Sequence, residues 1–64
     1  MNLAEYDHVR IKATGITGVI VDVPRRPQDR YYLVESDERG VPGGHGPEGE
    51  FKLFDCLAEE LEKI

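Results

Sequence analysis

Tryptophan is absent from this 64-residue chain, cysteine occurs once, and no hydrophobic run is longer than a few residues. Each shortage excludes something. The single thiol, Cys56, rules out an intramolecular disulfide, the usual staple of a small secreted domain. The longest aliphatic run, Val19-Ile20-Val21, is far too short to cross a bilayer as a helix. The start, Met1 to Tyr6, has neither a basic segment nor an apolar one, so no secretory signal is expected. A cytoplasmic, reducing setting and no membrane partner are the expectation.

Cations are scarce too. The chain holds 8 Lys and Arg against 13 Asp and Glu, a formal net charge of -5. Residues 1–34 contain five basic and four acidic side chains, and residues 35–64 three and nine. Non-specific nucleic-acid binding runs on phosphate neutralisation, so the overall charge opposes it. One basic corner survives around Arg25, Arg26 and Arg30.

A chain of this length closes one core, giving a single domain over 1–64, and such domains bury only about 60% of their unfolded surface. Little is left to enclose an active-site cavity. The groups for chemistry are also missing. His8, His45 and Cys56 lack the paired spacing of a zinc site, so no metal or other cofactor is expected. Gly43-Gly44-His45-Gly46 lacks the Lys-Ser/Thr ending of a phosphate loop, and Glu48 and Glu50 flank it. The acid pairs Asp37-Glu38 and Glu59-Glu60 read as solvated carboxylates. No catalytic set is found, and the chain is not expected to be an enzyme.

What is present is strand. His8 to Ala13 alternates polar and apolar residues, placing Val9, Ile11 and Ala13 inward and Arg10 and Lys12 in water. Gly15 and Gly18 suit a tight turn. Gly18 to Val23 is β-branched, with Val19, Val21 and Val23 on one face, and Pro24 ends it. Tyr31 to Glu35 is a third strand, with Tyr32 and Val34 turned inward, and Phe51 to Cys56 a fourth. Residues 1–6 read as an N-terminal arm. Residues 36–50 hold five glycines and two prolines and read as a long flexible hairpin loop. In the tail, Leu57, Leu61 and Ile64 share a helical stripe that Asp55 could cap. Eight residues do not hold a helix alone, so a helical turn or an edge segment is expected.

Short strands separated by turn signals predict an all-β domain of four to five antiparallel strands with a short C-terminal helical segment. Asp7-His8-Val9-Arg10-Ile11 with Gly15-Ile16-Thr17-Gly18-Val19-Ile20 after it resembles the signature of KOW-type SH3-like barrels. Tyr6 stands where that pattern usually carries glycine. The order of elements through Tyr32-Leu33-Val34-Glu35 and the acidic Leu57–Leu61 tail is similar to small bacterial SH3-barrel domains of unknown function. The resemblance implies a small SH3-like barrel. It also implies two function classes, a protein-interaction module with a protein partner and, disfavoured by the net charge, RNA binding. An enzyme subunit comes third. The residues nominated for binding are Arg10, Lys12, Arg25, Arg26, Arg30 and Tyr31, because tyrosines beside arginines stack on bases or pack on an extended partner segment.

Overall fold

The computed structural model describes residues 3–39 and 51–64. Five strands are present: β1 (His8–Ile11), β2 (Thr17–Asp22), β3 (Tyr31–Arg39), β4 (Phe51–Leu57) and β5 (Leu61–Lys63). A single 3-10 turn, Ala58–Glu60, links the last two. All pairings are antiparallel, in the order β4-β3-β2-β1-β5. The protein is all-β, as the sequence predicts.

Hydrogen bonding leaves this sheet open, with β4 and β5 as its edges. Its shape is strongly curled. At about 4.8 Å per strand a flat sheet would hold the edges ~19 Å apart. Only Ala58–Glu60 separates Leu57 from Leu61, and four 3-10 steps of about 2 Å cover ~8 Å. The edges must therefore bend towards each other. The core confirms it, because Val9, Ile11, Ile20, Val34, Cys56 and Leu61 form one buried cluster drawn from all five strands.

Two glycines shape the first hairpin. Gly15 adopts φ 79° and its N–H donates to Ile11 O at 2.8 Å, closing the turn after β1. Ala13 therefore lies in the turn, exposed, and not on the inward face expected for it. Gly18 pairs with Val9 on one side and Ser36 on the other. A Cβ at this position would overlap the Glu35 carbonyl oxygen, so only glycine lets β2 and β3 approach.

β2 departs from simple alternation. Ile20 pairs with Val34, and the register then shifts so that Asp22 pairs with Leu33. That bulge adds one residue and reverses the phase of the strand beyond it. Ile20 takes the core position, Val19 and Val21 lie half-buried outside it, and Val23 packs back against the core. The three valines do not share a face as the period-two pattern implied. In β3 the expected assignment holds, with Val34 fully buried and Tyr32 packed on the cluster.

β3 continues to Arg39, four residues into the segment read as loop, and Ser36 is buried there. Residues 40–50 of the expected loop lie outside the described residues. The tail makes one 3-10 turn before Leu61 drops into the core and pairs with Ile11. Asp55 is not its cap; it lies within β4, and the Glu60 carboxylate accepts the Leu57 N–H at 2.6 Å. Of the N-terminal arm, Leu3 packs on the core, and the Tyr6 N–H donates to Ile20 O at 2.7 Å. Tyr6 holds φ 74° and is 76% exposed.

Candidate interaction surface

The β2–β3 connection, residues 23–30, gathers three of the six nominated residues, Arg25, Arg26 and Arg30, and the first two are paired with neighbouring carboxylates. Arg25 bonds Asp22 at 3.0 Å and reaches Glu5 at 4.0 Å. The Arg25 hydrogen bond and the Val23 N–H hold the Asp22 carboxyl below the usual carboxylate range, and Asp22 in turn raises Arg25. Arg26 clamps Asp29 at 3.2 Å and lowers its pKa by the same kind of bond. Arg30 is exposed and has no ion pair among the described residues.

Two adjoining open clefts flank Arg30. One, of about 270 Å³, lies against Asp22, Pro24, Asp29, Arg30 and Tyr31. The other, of about 360 Å³, reaches from Arg30 and Tyr32 to Leu57 and Glu59 on the 3-10 side. Tyr31 is 56% exposed at the first. Arg10 and Lys12 line neither cleft. Arg10 projects from the outer side of β1 and pairs with Glu62 at 3.2 Å, while Lys12 sits in the turn after β1. The structure thus joins Arg25, Arg26, Arg30 and Tyr31 in one corner and leaves Arg10 and Lys12 out of it.

A second surface is the exposed sheet face that an interaction module of this kind is expected to use, though the sequence did not single out its residues. Alternation from the buried Ile20, Val34 and Cys56 turns Val19, Leu33, Leu53 and Leu57 to the opposite, outer side of β2–β4. Each is half-buried, and none belongs to the core cluster. A solvated sheet face is normally polar. The signal was legible in principle, since β2 and β4 carry apolar residues at both parities and so offer two apolar faces.

At the other end of this outer side, His8 Nε2 and the Thr17 hydroxyl both bond Asp37 Oδ2, at 2.8 and 2.7 Å. These bonds, His8 first, lower the Asp37 pKa. They link β1, β2 and β3 through side chains. Cys56 is in the core, where burial pushes its thiol up to about 11. Among the described residues no helix is long and apolar enough to cross a membrane. Comparison with known proteins finds no family model that matches the chain, and no curated protein or solved structure that is significantly similar.

Proposed function

We propose that this chain is a non-catalytic protein-interaction module on an SH3-like barrel, binding a protein partner through the outer side of β2–β4 and the adjoining Arg30–Tyr31 corner. The carrying observation is the aliphatic outer face, Val19, Leu33, Leu53 and Leu57, which no core cluster accounts for. The barrel reading is supported by the strand order and by the 3-10 link between the edge strands. Tyr6 in a left-handed conformation, where the KOW pattern carries glycine, supports it further. A lone, buried, protonated thiol suits a cytoplasmic setting.

KOW-like RNA binding is the second reading, and ion pairing weighs against it. Arg10, Arg25, Arg26 and Lys63 each face a carboxylate within 3.4 Å. A phosphate would have to displace those acids. An enzymatic role ranks third, since the clefts are open and neither His8 nor Cys56 lines them.

The test is photo-crosslinking in cells, with a crosslinking amino acid at Leu53 and, as control, at Lys12. A discrete adduct from Leu53 that disappears in Val19→Asp is expected. No adduct from Leu53, or the same adduct from Lys12, would refute the assignment.

A further inference from the structure

Arg30 and Glu35 carry opposite charges, and both are exposed without an ion pair among the described residues. Arg10, Arg25, Arg26 and Lys63, by contrast, each hold a carboxylate. Arg30 stands just before β3 and Glu35 within it, a separation of ~17 Å at strand spacing. Between them Tyr31 and Leu33 share the outer side with Glu35, since alternate residues of a strand point the same way. Val19 and Leu53 flank Glu35 in the register, and Leu57 pairs with Tyr31. Arg30 opens onto the same side, because one of its clefts is walled by Tyr31 and the other by Leu57. The Tyr31 cleft also holds Asp22 and Asp29, but Arg25 and Arg26 answer those two acids. Glu59 lines the Leu57 cleft and not the Tyr31 one. The strip therefore runs cation, aromatic, aliphatic, anion.

Resting on the interaction reading above, we infer that this strip takes an extended segment of a partner protein. The segment carries Lys or Arg at one end, Asp or Glu at the other, and two apolar side chains between. Side chains that face the strip recur at every second residue. The base over Glu35, the apolar pair over Leu33 and Tyr31, and the acid at Arg30 are therefore each two residues apart, and the segment spans ~20 Å from base to acid. The long Arg30 and Glu35 side chains take up the small difference. Both charges of the segment thus turn to the same face as its apolar side chains. Charge complementarity selects this occupant. A wholly basic segment sets a cation against Arg30. A wholly acidic one, like RNA or an anionic lipid surface, meets Glu35 and a net charge of -5. A second copy, turned so that Arg30 meets Glu35, brings the row of Asp22, Leu33 and Asp55 against itself. The contact is one strand wide and its charges are exposed, so the complex is weak and salt-sensitive.

The experiment is an amide chemical-shift titration of the whole labelled protein with three synthetic peptides, capped at both ends. The parent peptide is Lys-Ser-Leu-Ser-Leu-Ser-Glu; one derivative has Gln for its Glu, and the other Gln for its Lys. The parent should move the amides of Arg30, Tyr31, Leu33 and Glu35, and should bind about two- to fivefold tighter than either derivative. Net charge alone predicts the reverse for the first derivative, which is the more positive peptide facing an acidic protein. The preference for Glu should vanish in Arg30→Gln, and the preference for Lys in Glu35→Gln. Both positions are exposed, and melting curves of the variants establish that they fold. Added salt should narrow both preferences. A Glu-to-Gln peptide that binds as well as the parent, a preference that survives the matching protein variant, or no shifts in the strip would overturn the inference. An adduct from Leu53 together with any of those results ends this inference and keeps the interaction reading. No adduct from Leu53 ends the interaction reading and this inference together.

Discussion

Gly18→Ala puts a methyl group between β2 and β3, against the Glu35–Ser36 backbone. The added Cβ would overlap the Glu35 carbonyl oxygen and lie 2.9 Å from its carbon and 3.0 Å from Ser36 Cα. All three atoms are backbone, so no side chain can swing away and the strands themselves must part. Gly18 also pairs with Val9, so β1 is carried along. Overpacking of this kind costs about 1–3 kcal/mol, and the rigid neighbours place Gly18→Ala at the upper end. A domain of 64 residues has a total stability of ~3–10 kcal/mol. A 3 kcal/mol loss then lowers the melting temperature by ~12–24 °C. Gly15→Ala is the control. It places alanine at φ 79° with nothing within 4 Å of the new Cβ. Its strain of ~1 kcal/mol is partly offset by a stiffer unfolded chain. Urea denaturation monitored by circular dichroism or tyrosine fluorescence reads both. Equal losses for the two variants would refute the close-approach argument.

The remaining predictions concern the core, the thiol and the outer side of the sheet. Leu61→Ala, at a fully buried position, should cost about 3 kcal/mol, whereas Leu53→Ala should cost about 1 kcal/mol, both by chemical denaturation. With its pKa raised from 9.0 to about 11, the Cys56 thiol should resist alkylation in native buffer and react once urea unfolds the chain. The folded state then holds a proton that the unfolded chain releases, so stability should fall as pH rises from about 9 to about 11, and Cys56→Ala should flatten that decline. Asp37→Asn should cost about 0.5–1 kcal/mol at neutral pH, because the pair is surface-exposed. The parent should lose that increment as pH falls through the carboxylate range, since Asp37 is depressed in the folded state.

The positions of the strands were legible because strand chemistry is local. Val9 and Ile11 alternate with polar neighbours, Pro24 ends the ladder, and Tyr32 and Val34 stand where their neighbours put them. The bulge at Val21 was not legible. It depends on how β2 meets Leu33 across the sheet, and one residue of slip separates Val23 from Val19. The tail misled for a related reason. Leu57, Leu61 and Ile64 fit a helical stripe, yet Leu61 is worth more in the core beside Ile11 than on a two-turn helix. In the nominated corner the ion pairs were the part not read. Arg25 and Arg26 read as available cations, but Asp22 and Asp29, three residues from each, take their charge. The second apolar parity of β2 and β4 was readable, but which of its residues stand side by side, Val19, Glu35 and Leu53 among them, is set only by the register.

The central claim is that the outer side of β2–β4 is where the partner binds. Amide chemical-shift mapping of the labelled protein, with the partner recovered by crosslinking from Leu53, tests it most directly. The account predicts shifts concentrated at Val19, Leu33, Glu35, Leu53 and Asp55, extending to Arg30 and Tyr31 and sparing the Lys12 turn. A map centred on Arg10, Lys12 and β5, with the β2–β4 resonances unmoved, would contradict it.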